Sequence, residues 1–595
     1  MSESQVYSIL TFSAAAAAVY GLVLASRPTK TKIRKDTSSS SFSKTSSRLL
    51  TSFQGSSTPT TPSLNLVNDL KVASEAAREG DHSFNFQDCD VQVLENMSIG
   101  TLVRLNVPRL QTLCPKGDND ILNTREPLPS YEDEDHGDSH FSKGSSGDGD
   151  MDHRVPYINV IDESFVIVSD IVRHGSQAPV SRCFVRAGPR AKCYFQPHGV
   201  IAGIVTCGGL CPGLNNVVRE VVMTLFNNYG AKKVYGIRKG YWGFHTSDAD
   251  LSEGTERHPS CPREEPMVLT PEVVANIHNI GGTILGSDRG GLVENSPKDV
   301  DIILRFCLNR GINQLYIIGG DGTHRGADAI AKEAQARGIP MAVAAIPKTI
   351  DNDVDIIDRS FGFETAYSEA QQAIRSAKTE ASAALNGLGI VKLMGRHAGF
   401  IAAHATMASG DVDLCLIPEV PVVFSGPASF GAHVQAVIKK KGHAVVVVAE
   451  GAGEKDILAE HKQTDAGKDA GGNKLLPEVG PWLKEKLTSY LSQRGCKPIV
   501  KYIDPSYMIR SVAPHAADAE YCMLLGQNAV HGAMAGFTGF STGLVNNRLV
   551  YIPISAITAN SPRKMNARGR TYERLLQITR QPDPLLYPQI YSTSL

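Results

Sequence analysis

Met341-Ala342-Val343-Ala344-Ala345-Ile346-Pro347-Lys348-Thr349-Ile350-Asp351-Asn352-Asp353 passes abruptly from an apolar run into a cluster of charged and turn-forming residues. Met341 to Ile346 carries no polar side chain, as expected for a strand covered on both faces. The cluster that follows belongs at the end of that strand. Asp351 and Asp353 are two apart, so in an extended segment both carboxylates face the same way. One can take a proton from a hydroxyl nucleophile while the other serves the hydration shell of a metal. The plainer reading is Asx-type turn capping, for which Asp and Asn are well suited. These residues alone leave both readings open.

The same grammar recurs on either side. Gln314 to Ile318 is another apolar run, and it opens directly into Gly319-Gly320-Asp321-Gly322-Thr323. An Asp between glycines at a strand end can hold Mg²⁺ while the glycines admit polyphosphate; a plain turn is the alternative. Upstream, Ala202 to Cys207 leads into Gly208-Gly209-Leu210-Cys211-Pro212-Gly213-Leu214-Asn215-Asn216 and a helical stretch from Val217 to Phe226. Glycines here would let backbone approach a phosphate at a helix N-terminus, or simply close a strand–helix turn. Neither loop is a Walker A or a dinucleotide-binding fingerprint.

Phe165–Val172 and Cys183–Phe195 read as strands or an arm, and from residue 200 onward further strand-like runs at Lys233–Ile237, Gly389–Leu393, Asp413–Ile417 and Ala444–Ala449 alternate with helical stretches. That alternation predicts an α/β protein with mostly parallel sheets, helices on both faces and ligands at the carboxyl ends of strands. Its 595 residues are too many for one ordinary domain, and 42% hydrophobic with 20% charged residues is a soluble globular balance. A net charge of −1 argues against nucleic acid or a membrane surface as a generic partner. The eleven cysteines lie apart with no metal-ligand spacing, which points to a reduced intracellular compartment.

The amino-terminal third reads differently. Val6 to Ser26 is uncharged, and a basic, Ser-rich, acid-poor stretch follows to residue 60. This is the composition of an organellar transit peptide, with a weak membrane anchor and a plain tail as alternatives. Residues 61–153 read as a variable extension, acidic and Gly/Ser-rich in its later part, with order expected from about Pro156 and an arm over 154–199.

Leu285-Gly286-Ser287-Asp288-Arg289-Gly290-Gly291, Met394-Gly395-Arg396, Ala449-Glu450-Gly451 and Tyr507-Met508-Ile509-Arg510 complete a series with the three loops above. In that order the seven motifs resemble the phosphofructokinase family over roughly Val200 to Leu544, and its plant-type ATP-using branch most. The resemblance implies two Rossmann-like three-layer domains, an ATP-binding one over 200–355 and a fructose 6-phosphate-binding one over 356–545, with 546–595 as a tail on the core. It further implies a Mg²⁺-dependent kinase forming fructose 1,6-bisphosphate, a homotetramer under allosteric control, and residence in the plastid stroma or, alternatively, the cytoplasm.

Residue by residue, the resemblance assigns ATP binding to Gly209, Arg289, Gly290, Gly320, Asp321, Gly322 and Thr323, with Asp321 at the Mg²⁺ position. Asp351 takes the place of the base that deprotonates the sugar 1-hydroxyl, beside Thr349 and Ile350 in the substrate loop and Asp353 next to it. Met394, Gly395, Arg396 and Glu450 match sugar-phosphate contacts. Tyr507 and Arg510 match a grip on the 6-phosphate, and Lys501 stands where bacterial members have a further Arg. Gly387 falls where those members place an Arg that reaches the neighbouring subunit. Lys348 falls where pyrophosphate users also have Lys, but such enzymes typically carry Asp at the position of Gly322. The open position at Gly322 implies ATP, with Lys348 helping to neutralise the transferring phosphoryl group. A pyrophosphate-dependent enzyme, a non-catalytic subunit and a kinase of NAD or lipid remain the rivals. A redox switch at Cys207 or Cys211 is a further expectation.

Overall fold

A computed structural model of the chain describes residues 91–96, 100–116, 122–123, 159–162, 164–169, 180–245, 265–288, 293–460 and 475–588. The transit-peptide reading therefore lies outside the described residues, as does the acidic run at 132–150. Among the described residues no helix is long and apolar enough to cross a membrane.

Two sheets carry the architecture. At the centre of the larger one, Lys233–Ile237, Ile201–Thr206, Gln314–Gly319, Ala342–Pro347 and Phe540–Val545 run parallel in that spatial order. Flanking antiparallel pairings add Met267–Leu269 at one side and Arg548–Pro553 at the other. Alternate residues along the central strands feed two different cores. Ile204, Tyr316 and Ala344 pack toward the helices Leu214–Met223 and Ala516–Met534, while Val205, Ile317 and Ala345 pack toward Pro297–Asn309 and Asp321–Ala336. These side chains are fully buried, the Val and Ile among them each contributing about 1.5–3 kcal/mol of transfer free energy.

The smaller sheet is wholly parallel, in the order Leu414–Leu416, His443–Ala449, Gly387–Leu393, Ile499–Ile503. Phe363–Ser382 and Phe400–Ser409 cover one face, Phe430–Lys441 and Val479–Ser492 the other. The first pair of helices shares its apolar cluster with the larger sheet, so one continuous core joins the two halves.

Three boundaries differ from the sequence reading. Order begins earlier than Pro156: Val91–Asn96 and Gly100–Leu105 form a hairpin whose second strand runs parallel to Val180–Arg186 in the larger sheet. The polar run at 132–150 dominates the composition of that whole stretch and hides a β-branched segment within it. Second, helix Ala516–Met534 and strand Phe540–Val545 belong to the larger sheet, although a boundary at 545 puts them with the smaller one. The chain leaves the first half after Pro347, builds the second, and returns. Third, the tail from 546 begins as a sheet strand, with Val550 and Tyr551 paired to Arg186 and Val185.

Candidate active site

Ile201–Thr206, Gln314–Gly319 and Ala342–Pro347 are adjacent and in step, with Thr206, Ile318 and Ile346 level with one another. The three glycine- and aspartate-bearing loops consequently leave the sheet side by side. Two more ladder bonds continue past the strands, from Cys207 N–H to the Ile318 carbonyl (2.8 Å) and from Lys348 N–H to the Gly319 carbonyl (2.9 Å). The segment around Asp288 closes the other flank, its carbonyl accepting from Gly208 N–H at 3.0 Å.

Gly213, with φ of 101°, caps helix Leu214–Met223 in a conformation that few other residues tolerate. Gly320 caps helix Asp321–Ala336, so Asp321 sits in the first turn, where the helix dipole favours a carboxylate. Asp321 is ion-paired with Arg325, one turn on. At Gly322 an added Cβ would have only the Arg325 guanidinium nearby, 3.8 Å away, so the space above this glycine is open. The Thr323 carbonyl accepts from the Tyr241 hydroxyl at 2.9 Å.

Lys348 is buried, and its ammonium donates to the Gly209 carbonyl at 2.8 Å, tying the first loop to the third. Beyond it the Thr349–Asp353 turn is held from within. Thr349 donates its hydroxyl to Asp353 Oδ1 (2.9 Å) and accepts from Asp351 N–H (3.1 Å). Asn352 has φ of 55°, and its side-chain oxygen accepts from Ser360 N–H at 2.9 Å. Asp351 Oδ1 is shielded from solvent and has no hydrogen-bond partner among the described residues. Burial raises the Asp351 carboxyl to about 8, the negative charges of Asp353 and Glu450 add to the rise, and Arg396 and Lys348 oppose it. A carboxylate so placed is poised to take a proton near neutral pH.

The smaller sheet supplies the opposite wall. Met394-Gly395-Arg396 leaves strand Gly387–Leu393, and Glu450 leaves the neighbouring strand His443–Ala449. The two turns are stitched by Glu450 N–H to Leu393 carbonyl (2.9 Å) and Gly451 N–H to Gly395 carbonyl (3.1 Å). Arg396 Nε lies 3.7 Å from Glu450 Oε1. Burial raises the Glu450 carboxyl, against the pull of Arg396 and Lys392. Helix Ser506–Arg510 carries Tyr507, three-quarters exposed, with the Arg510 guanidinium 4.8 Å over its ring. Arg510 also reaches to within 3.8 Å of where a Cβ on Gly209 would stand, which brings the two walls together.

Most residues predicted from sequence thus converge on one cleft. Met394 and Ile350 are buried in the wall behind it. Arg289 and Gly290 lie outside the described residues. Lys501 points elsewhere: its ammonium is 2.9 Å from Glu380 on helix Phe363–Ser382. Cys207 and Cys211 are buried, and burial lifts the Cys207 thiol to about 12 and the Cys211 thiol higher still, which opposes the expected redox switch.

Two supports had no signal in the sequence. Lys392 bonds Asp504 at 2.7 Å, while Asp504 accepts from both the N–H and hydroxyl of Ser506, and so anchors the helix bearing Tyr507 and Arg510. Arg563, from the chain's last segment, donates into the Asp351 loop. Both join residues more than a hundred positions apart, so no local pattern announces them.

Glycine-rich loops of the larger sheet thus face Arg396 and Arg510 from the smaller-sheet side, with the raised carboxyl of Asp351 near both Lys348 and Arg396. The chain belongs to the phosphofructokinase family: residues 201–533 match the profile described as Phosphofructokinase. It is 48% identical over 423 residues to ATP-dependent 6-phosphofructokinase 1 of Arabidopsis thaliana, covering 71% of this chain and 84% of that one. ATP-dependent 6-phosphofructokinase 4, chloroplastic, of the same plant is 46% identical over 71% of this chain and 75% of its own. ATP-dependent 6-phosphofructokinase of Amycolatopsis methanolica is 42% identical over 70% and 86%.

Proposed function

We propose that this protein transfers the γ-phosphoryl group of ATP to the 1-hydroxyl of fructose 6-phosphate, giving fructose 1,6-bisphosphate and ADP in glycolysis. One observation carries the reading: the buried Oδ1 of Asp351, without a hydrogen-bond partner among the described residues and with its carboxyl raised, set among Lys348, Arg396 and Glu450. Asp351 accepts the hydroxyl proton as the oxygen attacks. Lys348 and Arg396 place positive charge where negative charge spreads over the transferring group. In this reading the larger-sheet half holds ATP through Gly209, Arg289, Gly290 and Gly320–Thr323. Tyr507 and Arg510 hold the 6-phosphate, and Lys501 joins a phosphate only by leaving Glu380.

A magnesium ion suits Asp321, a carboxylate at a helix start with glycines on both sides that leave room for phosphate oxygens. When bound, the ion neutralises and aligns the phosphate oxygens. The basic, acid-poor amino terminus, together with relatives named as chloroplastic, supports a plastid location, with the cytoplasm as alternative. An allosterically controlled homotetramer completes the proposal. Fructose 6-phosphate and Mg²⁺ offered with ATP or pyrophosphate separately provide the test. Product with ATP is expected; product with pyrophosphate alone overturns the donor, and silence with both overturns the activity.

A further inference from the structure

Residues 561–565 return to the cleft from the far end of the chain and touch both of its walls. Arg563 Nε donates to the Asn352 carbonyl at 3.0 Å and Nη1 to the Ile357 carbonyl at 3.0 Å, while its own N–H donates to the Asp353 carbonyl at 2.7 Å. Next to it, the Ser561 hydroxyl accepts from Asp355 N–H at 3.0 Å. On the other side, the guanidinium lies 5.3 Å from the centre of the Phe400 ring, at the start of the helix that follows Arg396. Met565 N–H donates at 2.8 Å to Glu419, whose carboxylate also accepts from Gly399 N–H at 3.1 Å.

We infer that Arg563 is a positioning residue that fixes the Asp351 loop against the Arg396 loop, and so sets the distance between proton acceptor and substrate. The inference rests on the reading of Asp351 as the base. Asn352 holds a left-handed backbone next to Asp351, a state that persists only where surrounding bonds over-determine it. Ser360 grips its side chain and Arg563 its carbonyl. An ammonium cannot replace the planar fork, which spans two carbonyls five residues apart and lies over a ring. Displacement of a reacting group by about 1 Å costs on the order of a hundredfold in rate.

The test compares full-length wild type with Arg563→Lys and Arg563→Gln. Turnover should fall about tenfold to a hundredfold in both, with the KM for ATP held within about twofold. Hydrogen exchange should rise selectively at the amides of residues 352–358. Unchanged turnover in both variants overturns the inference. So does a loss accompanied by an equal rise in KM and by exchange spread over the whole chain, which marks general unfolding. If Arg563→Gln does not fold, Arg563→Lys, which keeps the charge and most of the stem, decides alone. A wild type with no phosphotransfer counts against the proposed function instead. Exchange at 352–358 then decides on Arg563 by itself, selective rise supporting it and no change refuting it.

Discussion

The sharpest prediction concerns the proton on Asp351. With its carboxyl raised to about 8, the free protein holds the base mostly protonated at pH 7 and mostly ionised only above about pH 8. The value of kcat/KM should therefore climb close to tenfold between pH 6 and pH 7, and flatten above about pH 8. Replacing Asp353 by Asn removes the largest like charge acting on Asp351, so the acid limb should move to lower pH. Removing the Lys348 charge with Lys348→Met should move it the other way. Asp351→Asn should lower turnover by on the order of a hundredfold or more and abolish the limb. A coupled assay for fructose 1,6-bisphosphate across pH 5.5–9.5, at saturating and limiting fructose 6-phosphate, reads all four proteins. A wild-type limb near the ordinary carboxylate range, or wild-type turnover with an unchanged limb in Asp351→Asn, would refute the reasoning.

The same proton bears on stability. Between the ordinary Asp value and about 8 the folded chain holds a proton that the unfolded chain has lost, so this site's contribution to stability declines as pH rises. Asp351→Asn should accordingly melt higher than wild type at pH 8–9, and an equal or lower Tm there would contradict the burial argument. Asp321→Ala should abolish Mg²⁺-dependent use of ATP while calorimetry still finds fructose 6-phosphate binding. Gly322→Asp, which places a carboxylate in the open space beside Arg325, should raise the KM for ATP at least about tenfold through lost phosphate contact and like-charge repulsion. At Gly387 an added methyl would run into the Ala381 carbonyl oxygen, so Gly387→Ala should cost about 1–3 kcal/mol in a denaturant melt.

The central strands were legible because their residues obey a local rule, apolar runs closed by glycine and aspartate turns. The three loops at their ends were legible for the same reason, and the ordered series of motifs located the second wall. Sheet membership was harder to read: Phe540–Val545 looks like any buried strand, and nothing in its residues says that it pairs with Ala342–Pro347 rather than with its nearer neighbours in sequence. Lys501 shows a different limit, since a cation's partner depends on what the fold brings near, and here that is Glu380. Backbone crowding from Ala381 leaves no room for any side chain at Gly387, so glycine at this position is required by the helix–strand packing.

The return of Phe540–Val545 and Arg548–Pro553 to the larger sheet also constrains how the protein is made. A ribosome must synthesise nearly the whole chain before Ala342–Pro347 gains its outer neighbour, so the growing polypeptide carries an apolar sheet edge through about the next two hundred residues of translation. Exposed edges of that kind invite pairing with other chains. Premature termination between about residues 420 and 535 would release a fragment with its smaller sheet complete or partly built and its larger sheet open, a species prone to aggregate rather than to act as half an enzyme.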